Sequence, residues 1–124
     1  MGLDQYAFAV PCDDAKGLPD VEAKLPDTAD KVWQWRKHAN LQGWMEHLYR
    51  TRGGGGDFNC KTVRLALHDL DQLELDIISH ALPYTEGFFF GESSPEDDAD
   101  TLAFVKAARQ RIQDNCVIYY DSWW

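Results

Sequence analysis

Apolar and polar positions first alternate at residues 4–10, with Tyr6, Phe8 and Val10 on one side and Ala7 and Ala9 on the other. A period of two predicts a strand. From residue 11 to 30 no period survives. Pro11, Gly17, Pro19 and Pro26 punctuate an acidic stretch that reads as a long loop. The run KVWQWR at 31–36, rich in aromatic and β-branched residues, predicts a second strand. Near His38 the period changes. Leu41, Trp44, Met45, Leu48 and Tyr49 recur at threes and fours, which makes an amphipathic helix as far as Arg52. The glycines Gly53 to Gly56 stop it.

Val63, Leu65 and Leu67 alternate in TVRLAL and predict a third strand. Asp69 then reads as a helix N-cap with Gln72 as its capping-box partner, and Leu70, Leu73 and Ile77 as the apolar stripe. Ser94 caps a third helix, with Pro95 at its first position and Glu96, Asp97, Asp98 and Asp100 at the positive end of its dipole. Leu102, Val105, Ala108 and Ile112 form its inner face, and CVIYYD at 116–121 is the last strand. The order β, loop, β, α, β, α, α, β predicts a single α+β domain over residues 1–124. It is a small, mostly antiparallel sheet of about four strands covered by about three helices. Its predicted core is Trp35, Trp44, Leu48, Leu65, Leu73, Ile77, Leu102, Val105 and Ile118.

Charge changes the picture more than composition does. The 124 residues carry a net charge of −9, which argues against non-specific nucleic-acid binding. The charge is segregated: residues 1–30 sum to −5, residues 31–68 to +5 and residues 69–124 to −9. A locally basic middle inside an acidic chain predicts a polarised surface. No apolar run is long enough to span a bilayer, and the start MGLDQYAFAV has no basic region and is interrupted by Asp4. The expectation is a cytoplasmic protein with no membrane partner. Cys12, Cys60 and Cys116 are far apart and odd in number, so they read as free, mostly buried thiols rather than a disulfide framework. No cofactor or metal site is expected. Of the histidines, His80 suits a helix C-terminus, and His38, His47 and His68 read as surface residues.

Phosphate-loop, dinucleotide, zinc-protease and serine-elbow motifs are missing from the chain, and no residue is assigned a catalytic role. The densest chemistry lies in Trp33, Trp35, Arg36, Lys37, His38 and Asn40, where a strand gives way to a helix and two cations sit beside two indoles. Arg can grip a carboxylate or phosphate through two nitrogens, and a helix start offers free N–H groups. The plainer reading makes the indoles core and Arg36 the partner of an acid. The second unusual stretch is Glu86-Gly87-Phe88-Phe89-Phe90-Gly91-Glu92, either a plug into the core or an exposed patch. The acidic run Glu96 to Asp100 loads a helix start or imitates phosphate spacing. The end, Tyr119-Tyr120-Asp121-Ser122-Trp123-Trp124, completes a sheet or offers an indole anchor.

Four of these blocks together resemble a set of small bacteriophage and prophage proteins. Those proteins open Met-Gly-Leu-Asp-Met-Tyr, carry a Trp-Arg-Lys segment with an apolar residue and a Trp downstream, then a Leu-Pro…Gly-Phe-Phe-Phe-Gly loop, and finish near Tyr-Tyr-x-Ser-Ser-Trp. Here the blocks are Met1 to Tyr6, Trp35-Arg36-Lys37 with Leu41 and Trp44, Leu82 to Gly91, and Tyr119 to Trp123. Gln5 replaces the usual Met, and Asp121-Ser122 the usual pair before Trp. The resemblance covers most of the domain and implies a phage origin. Members are often labelled phosphoglycerate kinase, a label at odds with one small domain lacking a nucleotide motif. No activity is established for the family.

Three functional readings follow. The leading one is a phage accessory protein acting by binding a host protein, in host takeover or anti-defence. Its surface would combine Asp4, Trp33, Trp35, Arg36, Lys37, Asn40, Phe89 and Glu92. The second is a module for a small anionic ligand or nucleotide at the Trp-Arg-Lys segment. The third is an unrecognised enzyme using Asp4, Arg36, His38 or Glu92.

Overall fold

A computed structural model describes residues 2–87 and 90–124. The elements are β1 (Asp4–Pro11), the single turn α1 (Cys12–Ala15), β2 (Asp30–Arg36), α2 (Ala39–Thr51), β3 (Val63–Leu65), α3 (Leu67–Ile78), α4 (Pro95–Gln113) and β4 (Cys116–Trp123). The strands form one antiparallel sheet in the order β2-β1-β4-β3. The expected α+β arrangement is what the chain adopts.

The pleat sorts the side chains. Gln5, Ala7 and Ala9 of β1 are buried, as are Ile118 and Tyr120 of β4 and Trp35 of β2. Apart from Gln5, these join Met45, Leu70, Leu73, Phe104 and Val105 of the three long helices in one core. The two alanines leave room over the central strand for larger rings. Trp35 and Phe104 meet there edge to face, centroids 4.8 Å apart. The opposite face is covered only in part. Val10, Val117 and Tyr119 lie beneath the 15–29 segment with Ala23, whereas Tyr6 and Phe8 stay half-buried.

Several sequence expectations need correction. The 11–30 stretch begins with a helical turn and is pinned to β3 rather than loose: Val21 bridges Val63, Arg64 N donates to Asp20 O at 2.8 Å, and Glu22 N donates to Thr62 O at 3.0 Å. β3 is three residues long, because Leu67 already begins α3 and is half exposed. Asp69 is not the N-cap. Ala66 is, and Asp69 sits at N3, where it accepts the Ala66 N–H at 2.9 Å and an Arg52 contact at 2.6 Å. Trp44, Leu48 and Leu102 border the core rather than fill it, and Phe104 is a core residue the stripe had left out. Cys12 and Cys60 are free but exposed, and Cys116 is half-buried. The start of α4 is as expected: Ser94 N donates to Asp97 Oδ2 at 2.8 Å, with Pro95 first in the helix.

Candidate functional site

The pairing of β1 with β2 and β4 sets Asp4 opposite both Arg36 and Trp123. Residues two apart on a strand share a face, so these three side chains gather at one end of the face that the long helices leave free. With Gly2 and Trp124 they line a cleft of about 330 Å³. Arg36 Nη1 stands 3.9 Å from Asp4 Oδ1, with the arginine side chain 64% exposed and the aspartate 21%. An ion pair that long and open to water is worth little, on the order of 0–1 kcal/mol, so the guanidinium keeps donors for a ligand. Trp123 is 58% exposed, while Trp124 packs edge to face on Phe90 at 5.1 Å.

The beginning of the chain, the Trp-Arg-Lys segment and the Phe-rich loop do meet. Lys37 takes a φ of +59°, which turns the chain from β2 into α2, and its N–H donates to Leu3 O at 2.8 Å. Gly91, at φ +69°, faces the Lys37 stem so closely that a Cβ would stand 3.0 Å from Lys37 Cδ. The positive φ favours glycine there, and a larger residue would have to push the Lys37 stem aside by a few tenths of an ångström. Leu3, Ala39 and the buried Phe90 form a small apolar cluster with Trp124 at its rim. Phe90 is therefore a plug. Phe88 and Phe89, including the expected contact residue Phe89, lie outside the described residues.

Other expected site residues are placed differently. Trp35 is buried, its Nε1–H donating to Thr101 Oγ1 at 3.0 Å, so it faces the core rather than the cleft. Trp33 is half-buried and donates to Asp100 Oδ2 at 2.9 Å, on the α4 side of the sheet. Asn40 accepts from Thr85 N at 3.1 Å and anchors the loop that precedes the phenylalanines. Glu92 lines a separate hollow of about 450 Å³ with Tyr84, Glu86, Gly87 and Gly91. Arg36 pairs with Asp4 rather than with Glu92. The Tyr84 hydroxyl donates to Glu86 at 2.7 Å, and that bond to a carboxylate raises the phenol's pKa above its ordinary value.

Sequence reasoning missed a buried polar network beneath the cleft. Gln5 Nε2 donates to His38 O at 3.0 Å and to Tyr120 Oη at 2.9 Å, and Gln5 Oε1 accepts from His38 N at 2.9 Å. Tyr120 donates to Gln42 Oε1, and Gln42 Nε2 donates to Ser122 Oγ at 2.9 Å. His38, read as a surface residue, is fully buried. Its Nδ1 lies 2.6 Å from Ser93 Oγ, which also accepts the Asn40 N–H at 2.9 Å. Among the described residues its Nε2 has no hydrogen-bond partner, and Asp98 Oδ1 stands 3.6 Å away. Burial lowers the His38 pKa, and Asp97, Asp98 and Asp100 only partly offset it. The one available signal was position: a Gln between Asp4 and Tyr6 on a strand whose alternate residues are alanines.

Among the described residues no three His, Cys, Asp or Glu side chains are arranged to hold a metal ion, and no helix is long and apolar enough to cross a membrane. Compared with known proteins, the chain matches no family model, no curated sequence and no solved structure.

Proposed function

We propose that the chain is a small phage accessory protein that acts by binding a protein of the host, in the host cytoplasm, to assist takeover or blunt defence. The observation that carries the reading is Trp123, 58% exposed, sharing a cleft with Arg36, whose side chain is 64% exposed. Trp and Arg are the residues that most often anchor interfaces, where an indole supplies area and a guanidinium supplies directed donors. Covering such an indole removes apolar area from water, which favours association. Lys37, Gly91 and Phe90 extend the surface towards the Phe-rich loop.

The test compares Arg36→Ala and Trp123→Ala with wild type in quantitative co-purification from host cells. Both side chains are exposed, so each variant should unfold within about 0.5–1 kcal/mol of wild type. Loss of the same partner from both, with stability kept, supports the reading. Retention of the partner, or marked destabilisation, assigns the pair a structural role instead.

A second reading, a small anionic ligand at the same cleft, draws on the Arg36 guanidinium, 64% exposed and 3.9 Å from Asp4, beside the indoles of Trp123 and Trp124. Titration with inorganic phosphate and with a mononucleotide, followed by tryptophan fluorescence, separates the two. Saturable quenching lost in Arg36→Ala favours the small ligand, and an unresponsive spectrum favours the protein partner.

A further inference from the structure

The two edges of the sheet are treated unequally. The outer side of β3 is covered by the chain's own segment at 20–23. Backbone bonds run from Arg64 N to Asp20 O and from Glu22 N to Thr62 O, and Val21 bridges Val63. That segment is acidic, and its acids meet one base of the strand it covers, Arg64, and one just before it, Lys61. Glu22 lies 3.2 Å from Lys61 and Asp20 lies 3.9 Å from Arg64. The molecule thus contains one worked case of an extended acidic segment laid along a basic strand edge.

The outer side of β2 has no such cover. It is the end strand of the sheet, and no other segment among the described residues pairs with its outer edge. It too is basic. Lys31 and Arg36 lie on β2 and Lys37 follows it. Within residues 31–68, Arg50, Arg52 and Lys61 pair closely with an acid, and Arg64 and Arg36 each stand 3.9 Å from one, Arg36 being the more exposed of the two, 64% against 41%. Lys31 contacts the neutral Gln34 and lies over the Tyr6 ring at 5.9 Å. Lys37 has no acid within ion-pair distance among the described residues. Among the described residues, the two bases of 31–68 without an acid partner, Lys31 and Lys37, thus lie on and just after β2.

We infer that β2 is a strand-addition site that takes an extended acidic segment of the partner protein. The incoming backbone pairs along Trp33–Arg36, its carboxylates reach Lys31, Arg36 and Lys37, and its end lies beside the Trp123 cleft. This rests on the reading of the chain as a binding module and adds the chemistry of what it binds. Backbone pairing supplies the affinity in such additions, and alternate side chains supply the choice of partner. The register shift between Ala7 and Phe8 disturbs the far half of β2, which leaves Trp33–Arg36 as the regular stretch. The same bases count against a second copy of the chain: two such edges side by side place like charges together.

The experiment uses the full chain and three synthetic octapeptides: alternating Val-Glu, alternating Val-Lys, and Val-Glu with a central proline. Amide hydrogen exchange is followed residue by residue at low ionic strength. The Val-Glu peptide should slow exchange within Trp33–Arg36. Val-Lys should bind at least about tenfold more weakly, the proline peptide should give no protection, and the exposed-site double variant Lys31→Ala/Arg36→Ala should lose the preference for Glu over Lys. Equal binding of the Val-Glu and Val-Lys peptides, or binding without slowed exchange on β2, overturns the inference. Concentration-dependent protection of β2 with no peptide present also overturns it, by making a second copy the occupant. If Trp123→Ala loses its host partner while no peptide protects β2, the binding reading stands and strand addition falls. If peptides protect β2 while Trp123→Ala keeps its partner, it is the cleft that fails.

Discussion

The edges at β3 and β2 are alike in charge and opposite in state. β3 is short, buried at Val63 and Leu65, and sealed by the 20–23 segment. β2 is longer, largely exposed, and has one fully buried residue, Trp35. An exposed edge offers unpaired N–H and C=O groups, and proteins ordinarily guard it with charge, a bulge or a cover. Here one edge has the cover and the other has charge and a bulge. The covered edge belongs to the stability of the fold, and the open edge is free to serve recognition.

The largest expected effect tests that division. Leu65 of β3 is buried among Leu70, Ile118 and their neighbours. Leu65→Ala should cost about 2–5 kcal/mol, from lost transfer free energy and the cavity left behind. Lys31→Ala, on the exposed edge, should change stability by no more than about 0.5 kcal/mol. Urea unfolding of the two variants is the measurement. Comparable losses would mean that β2 is as structural as β3 and would undo the comparison.

Period and end signals made most of this fold legible. Four strands and the three long helices follow from alternation at 4–10, the 3–4 spacing from Leu41, the Leu70-Leu73-Ile77 stripe and the Ser94-Pro95 start. The covered edge was not legible. Asp20 to Ala23 make one bridge and a few backbone bonds, too little regular structure to leave a period, and Thr62 looked like the first residue of a strand. The site was half legible. Asp4, Arg36 and Lys37 stood out by chemistry and do lie near one another, but which face each indole took depended on strand parity and on where α4 packed. His38 was misread because nothing local predicts that a histidine at a strand–helix junction will be buried by Ser93 and Asp98, fifty-five and sixty residues later in the chain.

A smaller effect isolates the cover itself. Thr62 Oγ1 accepts the Ala23 N–H at 2.7 Å and donates to Ala23 O at 3.1 Å, all in buried surroundings. Thr62→Val keeps the shape and removes both bonds, leaving two buried backbone groups of Ala23 without partners. The expected cost is about 1–3 kcal/mol. Amide exchange at Glu22 and Ala23 should quicken while exchange across β2 stays as in wild type. Uniform quickening over the whole sheet would show that the cover is not a separable unit.

Acidification should affect the open-edge side through His38, two residues beyond the end of β2. Burial lowers its native pKa below the ordinary 6.5, so the unfolded chain takes up the proton first. As pH falls through and below 6.5, stability should therefore be lost, down to the native pKa, and at higher pH the group contributes no slope. Asp121 has the opposite sign: burial raises its native pKa above 3.8, so the native state holds its proton longer and gains stability as pH falls towards that value. Unfolding free energies against pH for wild type and His38→Gln check the sign. The difference between them should grow on acidification below 6.5, and a parallel pair of curves would contradict the buried, neutral imidazole.

The smallest effect bears most directly on what an acidic partner gains at β2. The Glu22–Lys61 pair at the covered edge is close, 3.2 Å, but both side chains are about half exposed, 46% and 40%. Water screens such a pair, and holding two long side chains costs entropy, so a double-mutant cycle on Glu22→Gln and Lys61→Met should give a coupling of only about 0.2–1 kcal/mol. The coupling should shrink further in 1 M salt, where the screening length is about 3 Å. A value well above that range would mean that charge, not backbone pairing, fastens the acidic segment to β3. A small value says that the backbone bonds fasten it and the charges select it. An acidic segment on β2 would then be chosen by Lys31, Arg36 and Lys37 but held by Trp33–Arg36, so raising salt should erode its preference for glutamate before it erodes its binding.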